Sequence, residues 1–287
     1  MEVKIVGTGG IFSPFNSACA LINKHILLDI PNGSLKEMRK KNINITDIDC
    51  IFITHFHGDH YFDIPFLLLE KSKTNKNEIK IIGSGETESK IQELTKLAFP
   101  DSYDKIFKNL KIEFINNEDE VKIDKIVVSS LKMSHRNMET YGYIFKDHEL
   151  KIGFTGDTSL CENVYKMLNE CNKVVIDSTF EIGNDAHLGV NDILILLKKY
   201  PNTTIIPTHI SPKEKRLLSF QSFDNLLILN DMEDINWHLI ILMLKFEYKS
   251  MKWKSNNKKT YSRKLERWKL TYELLWRTPL SVLLNLQ

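Results

Sequence analysis

The sequence predicts an α/β fold, and three observations carry that reading. Short β-branched runs that end in Gly or Asp turns recur from Met1 to about Asp234. Stretches with helical spacing of apolar residues lie between them, the alternation that builds sheets covered by helices. The 287 residues are 42% hydrophobic and 26% charged, an ordinary folded composition that excludes disordered and collagen-like chains.

The strands expected are Val3–Val6, His25–Asp29, Cys50–Thr54, Ile79–Ile82, Lys111–Ile115, Ile126–Met133, Tyr141–Phe145, Ile152–Thr155, Val174–Ile176 and Thr203–Ile206. The helices expected are Leu35–Lys41, Glu86–Ala98, Cys161–Asn169 and Asn191–Tyr200. The Lys/Asn-rich patch Lys71–Lys76 reads as a solvated loop, and Ser13–Asn16, Tyr61–Phe66 and Arg136–Thr140 read as loops around the site described below.

Composition changes near Asn236. All four tryptophans follow it (Trp237, Trp253, Trp268, Trp276), whereas all twelve glycines and all four cysteines precede residue 190. Two parts are expected, a catalytic domain over 1–236 and a basic extension over 237–287. The net charge of +2 hides an asymmetry: Lys245–Arg277 holds eleven Lys/Arg against three Asp/Glu, which leaves the other 254 residues at −6. In the extension Leu265, Trp268, Tyr272 and Leu275 recur at helical spacing, with Lys264, Arg267 and Lys269 on the other face. That pattern suits a helix docked on the domain or on a second subunit, with RNA or an anionic membrane surface as the other partners of a basic face.

No apolar run approaches the ~18–20 residues of a membrane span, and the longest, Leu239–Leu244, meets Lys245 at once. Met1–Thr8 alternates like a strand rather than a leader, so a cytoplasmic chain is expected. Cys19, Cys50, Cys161 and Cys171 form no CxxC pair, which points away from a disulfide framework or a thiolate zinc ribbon.

The chemistry is concentrated in Thr54-His55-Phe56-His57-Gly58-Asp59-His60, directly after the apolar run Cys50–Ile53. Three of the nine histidines fall within six residues. A strand end followed by a turn at Gly58 can aim His55 and His57 one way and Asp59 and His60 another, serving two adjacent cations. His135, Asp157 and His209 each stand at or just past the end of an expected strand, where side chains converge above a sheet edge. Together they make five imidazoles and two carboxylates, a donor set for two divalent transition ions.

On these residues the chain resembles the metallo-β-lactamase superfamily, whose HxHxDH motif His55–His60 matches, with His135, Asp157 and His209 following in the family's order. The resemblance covers about residues 3–232. It implies an αββα sandwich with a dinuclear site at one edge of the two sheets. One ion would take His55, His57 and His135, the other Asp59, His60 and His209, with Asp157 bridging. Zinc suits such ligands, and manganese or iron also occupy such sites. The openings Gly7-Thr8-Gly9-Gly10 and Asp29-Ile30-Pro31-Asn32-Gly33, with Asp177-Ser178-Thr179-Phe180 and His187-Leu188-Gly189, look like the ribonuclease Z and cyclic-nucleotide phosphodiesterase branch, which includes anti-Pycsar enzymes. By that resemblance His187, lying before the final helix, donates a proton to the leaving oxygen and Asp177 orients it. Asp59 accepts the nucleophile's proton, and Asp29 is the partner of a ligand histidine.

The likeness implies a metal-dependent phosphodiesterase acting on a small cyclic phosphodiester, a cyclic nucleotide first among them, and a homodimer. The competing reading is a ribonuclease Z-like endonuclease acting on tRNA or other RNA through the basic tail. A long tRNA-gripping arm would then be expected between His135 and Asp157, but these are only 22 positions apart and two expected strands use the interval. A non-catalytic ligand-binding or scaffold member of the fold would be expected to have lost some of these positions, and none is lost.

Overall fold

The computed structural model describes residues 1–117, 120–148 and 150–235. The chain divides after Ile235, and the amphipathic pattern at Leu265–Leu275 lies outside the described residues.

The β-branched runs form two sheets. The first has seven strands: β1 (Val3–Gly7), β2 (Cys19–Ile22), β3 (Ile26–Leu28), β4 (Cys50–Phe52), β5 (Glu78–Gly83), β6 (Lys111–Asn116) and, returning to its edge, β13 (Glu233–Asp234). Its order is β13-β1-β2-β3-β4-β5-β6, antiparallel as far as β3 and parallel from β3 to β6. The second has six: β7 (Val121–Ile123), β8 (Ile126–Lys132), β9 (Tyr141–Lys146), β10 (Lys151–Phe154), β11 (Lys173–Asp177) and β12 (Thr204–Thr208). Its order is β12-β11-β10-β9-β8-β7, parallel across β10, β11 and β12.

Three apolar clusters define the layers. Ile5, Ile22, Phe52, Phe145 and Phe154 belong to the one shared by the two sheets, with Tyr143 and Phe145 edge-on to Phe52 at 5.2 and 5.1 Å. A second seals the first sheet beneath α1 (Ser34–Lys40), α3 (Ile64–Lys71), α4 (Thr87–Ala98) and α5 (Tyr103–Asn109), with the single-turn α2 (Gly58–Tyr61) at the strand ends. The third joins the second sheet to α6 (Glu162–Glu170), α7 (Val190–Lys199) and α8 (Pro212–Ser219). Helix, sheet, sheet, helix is the αββα sandwich. The inner parallel strands β3, β4 and β11 are buried throughout, which is why they read as apolar runs, whereas the edge strand β6 alternates. Among the described residues no helix is long and apolar enough to cross a membrane.

Several expectations are corrected. Residues 64–66 of the expected loop Tyr61–Phe66 open α3, because Ile64, Leu67 and Leu68 are fully buried against the first sheet. Lys71 is not solvated. It ends α3 almost wholly buried, and its Nζ donates to the carbonyls of Thr46 (3.1 Å) and Ile48 (2.7 Å). His187 precedes α7, but α7 is not the last helix, since α8 follows. Strands β2, β7 and β13 and helices α2, α3, α5 and α8 have no counterpart in the sequence reading. Cys19, Cys50 and Cys171 are buried free thiols, and Cys161 is half-buried.

Candidate metal centre

Strand ends from both sheets deliver the candidate ligands to one place. The chain leaving β4 carries His55 and His57, then turns into α2, whose Asp59 and His60 face back. Past β8 comes His135, past β10 Asp157 and past β12 His209. Gly156 sits at φ +60°, where a Cβ would fall 2.9 Å from Thr54 Cβ, so glycine is what lets the turn deliver Asp157. All these side chains except His57 are buried; His57 lies exposed at the mouth.

Donor atoms of His55, His57, His135 and Asp157 lie within 4.8 Å of one another, and so do those of Asp59, His60 and His209. Asp157 Oδ2 reaches both groups, 3.8 Å from His55 Nε2 in the first and 3.4 Å from His60 Nε2 and His209 Nε2 in the second.

Hydrogen bonds fix the tautomers of four of these rings. His135 Nδ1 donates to the Ala186 carbonyl at 2.7 Å and His60 Nδ1 to Asp29 Oδ2 at 2.8 Å. The Thr54 hydroxyl donates to Asp29 Oδ2 (2.8 Å), so it can only accept from His55 Nδ1 at 3.1 Å. Thr179 repeats the device, donating to Asp177 Oδ1 (2.6 Å) and accepting from His209 Nδ1 at 2.8 Å. With Nδ1 so engaged, each of these rings turns its Nε2 to the centre.

These atoms fit cations better than one another. His55 Nε2 and His135 Nε2 lie 2.9 and 3.3 Å from His57 Nδ1, close to the ~3.3 Å separation of two nitrogens bound tetrahedrally to zinc. His60 Nε2 is buried with no hydrogen-bond partner. Electrostatics agrees. Burial, reinforced by His60, pushes His55 well below the usual imidazole range, and burial with His135 lowers His57, so both favour the neutral, ligating form. Burial would raise Asp157, but His209 and His60 outweigh it and hold the carboxyl well below its ordinary range. Burial would lower His60, but Asp157 and Asp29 hold it well above. The carboxylates therefore demand positive charge at that ring, as proton or as cation.

His187 lies at the edge of the centre, its ring stacked on His209 at 5.3 Å. Its Nδ1 donates to Asp177 Oδ2 at 2.8 Å, and it falls in a third cluster with Asp157 and His209. Thr54, Thr179 and the Ala186 carbonyl escaped the sequence reading, because neither a hydroxyl nor a carbonyl has a spacing signature. Asp29, at φ +57°, also receives the Thr54 amide at 2.8 Å.

The family model described as anti-Pycsar protein Apyc1 matches residues 1–228. The chain belongs to this family. Ribonuclease Z of Pyrococcus horikoshii is 30% identical over 161 residues, 54% of this chain, and the match spans only half the length of that relative. Ribonuclease Z of Pyrococcus abyssi is 23% identical over an alignment of 273 residues that uses 74% of this chain and 87% of the relative, so the relative carries insertions this chain lacks. Among solved structures, the metallo-β-lactamase fold protein YhfI from Bacillus subtilis superimposes with a TM-score of 0.67 at 16% identity, over 81% of this chain and 98% of its own. The fold is the metallo-β-lactamase fold.

Proposed function

We propose that the protein is a dinuclear metal-dependent phosphodiesterase that hydrolyses a small cyclic phosphodiester, with a cyclic nucleotide as substrate. The observation that carries the reading is the Asp177–His187 pair beside Asp157: a histidine held by a carboxylate, next to two groups of metal-ligand atoms. Membership of the anti-Pycsar family supports it.

In this reading His55, His57 and His135 would hold one ion and Asp59, His60 and His209 the other, with Asp157 available to both; zinc would suit the ligands, as would manganese and iron. Ions held there would supply a water of lowered pKa and positive charge opposite the phosphoryl oxygens. Asp59 is held ionised: burial would raise its pKa, but its hydrogen bond with His209 and the charge of His60 lower it. It accepts the proton of the attacking water as the new P–O bond forms. His187 gives its proton to the departing alkoxide as the ring P–O bond breaks, and Asp177, hydrogen-bonded to its Nδ1, orients the ring. The net charge of the domain does not oppose an anionic substrate, because local cations outweigh distant carboxylates screened over about 8 Å.

The names of the Pyrococcus relatives favour a second reading, cleavage of tRNA or other RNA. Against it, β9 and β10 occupy the interval from His135 to Asp157, where an RNA-gripping arm would stand. The first reading also takes the protein to be a cytoplasmic homodimer in which residues 1–236 are the catalytic domain and 237–287 a basic extension. The deciding experiment is metal analysis with a hydrolysis panel of cyclic mononucleotides, bis-p-nitrophenyl phosphate and precursor tRNA, with Asp157→Ala as control. About two metals per chain and cleavage of cyclic nucleotides are expected. Cleavage of precursor tRNA alone would overturn the proposal.

A further inference from the structure

The segment between β1 and β2 takes no part in the mechanism above, yet it joins a braced base to an exposed apolar tip and passes beside the ligand His209. One carboxylate ties its two ends together. Asp231 accepts from the Thr8 amide (2.9 Å), the Thr8 hydroxyl (2.8 Å) and the Asn16 amide (2.7 Å). Within the loop the Gly9 amide donates to the Asn16 carbonyl at 2.8 Å and the Ser13 amide to the Gly10 carbonyl at 2.9 Å. Gly10 passes so close to His209 that a Cβ there would fall 2.9 Å from Nδ1. Beyond it the apolar side chains turn outward: Ile11 is 62% and Phe12 97% exposed. Two residues of chain place Phe12 Cα within about 7 Å of Gly10 Cα. Across the stacked His209 and His187 rings a second aromatic, Phe180, lies 5.5 Å from His187 and is also exposed.

We infer that Phe12 is a substrate-binding residue that stacks on the nucleobase of the cyclic nucleotide, and that Asp231 is the positioning residue that holds its loop beside the centre. The inference rests on the phosphodiesterase reading above and adds the feature that recognises the base. With the phosphate at the metal ligands, the sugar of a cyclic nucleotide carries its base outward by several ångströms, within the reach of a side chain two residues beyond Gly10. A side chain with almost its whole surface in water contributes nothing to the core. Held on a braced loop, it offers a flat π-face at little ordering cost, and such a face accepts any base.

The test uses the full-length, metal-loaded protein. Steady-state constants are measured for cyclic 3′,5′-mononucleotides and for the base-free methyl riboside 3′,5′-cyclic phosphate, with wild type, Phe12→Ala, Phe12→Trp and Asp231→Asn. For Phe12→Ala, KM is expected to rise about tenfold more on the nucleotides than on the base-free ester, the size of one lost stacking contact. Phe12→Trp restores the difference, and Asp231→Asn raises nucleotide KM with a smaller change in kcat. Equal changes on both substrate types, or none, would overturn the inference while leaving the proposed function standing. So would a sedimentation shift to a smaller species in Phe12→Ala, which would make the loop a contact between copies. A wild type that cleaves no cyclic nucleotide overturns the proposed function and this inference together.

Discussion

Asp177 Oδ2 lies 2.8 Å from His187 Nδ1 and also accepts the Thr158 amide at 3.0 Å, so the carboxylate that orients the histidine is clamped to the residue after Asp157. Its other oxygen takes the Thr179 hydroxyl and, through it, steadies His209. One buried side chain thus ties the proposed proton donor to the ligand cluster, and its geometry leads to the first prediction.

If His187 protonates the leaving oxygen, its removal matters only when that oxygen needs a proton. His187→Ala should lower kcat on a cyclic nucleotide, whose leaving group is an alkoxide, by about 10²–10⁴. On bis-p-nitrophenyl phosphate, whose phenolate leaves unaided, the loss should be far smaller, with metal content unchanged. Asp177→Asn should follow the same pattern more weakly. Equal losses on both substrates would mean that His187 serves binding or metal retention instead.

Asp29 reaches the centre only through other groups, holding His60 Nδ1 and both the amide and the hydroxyl of Thr54. Asp29→Asn removes the charge that fixes the His60 ring, and partners of this kind are worth about 10–100-fold in metal affinity. Titration of the metal-free variant against a chromophoric chelator should show that loss at one of two sites. Two unaltered affinities would reduce Asp29 to a turn residue.

Metal should also hold the domain together, since buried Asp157 and Asp59 stand with buried His55, His60, His135 and His209 in one small volume. Ligand binding to the native state alone adds about 2.7 kcal/mol at one hundred times Kd, which for a domain of this size raises Tm by about 5–10 °C. Chelator-treated protein should melt lower by that amount and recover on addition of zinc. A melting curve indifferent to both treatments would count against ions at this site.

Much of this was legible in the chain because two different signals coincide there. His55–His60 is dense enough to stand out unaided, and His135, Asp157 and His209 are found by following each apolar run to its end. The ten expected strands appear within a few residues of their expected limits, since a strand buried on both faces reads as an unbroken β-branched run. What escaped had no such pattern. Cys19–Ile22 is short and holds a single β-branched residue, and Ile64–Lys71 is apolar around most of its surface, so no helical period emerges there. Thr54 and Thr179 matter through the proton each donates to an aspartate, which becomes visible only when both partners are placed. Lys71 misled for another reason: its neighbours Ser72–Lys76 are turn residues, but its own stem enters the core.

Lys71 gives the last prediction. Burial disfavours its charged form and lowers its pKa from the ordinary value of 10.5; Asp49 and Asp47 oppose the shift without cancelling it. Between the folded pKa and 10.5 the unfolded chain therefore binds more protons than the folded one, so this residue makes stability rise with pH through that window. Below the folded pKa the contribution is constant and unfavourable; above the unfolded value it vanishes. Lys71→Met keeps the stem and removes the titration, at the cost of two unfilled carbonyls, Thr46 and Ile48. Urea unfolding of both proteins at pH 7.5 and pH 10 isolates the effect, because every other lysine is common to the pair. Wild type should gain stability relative to the variant as pH rises. A pH-independent difference would show that the Lys71 ammonium keeps its ordinary pKa, with the two carbonyls fully replacing water.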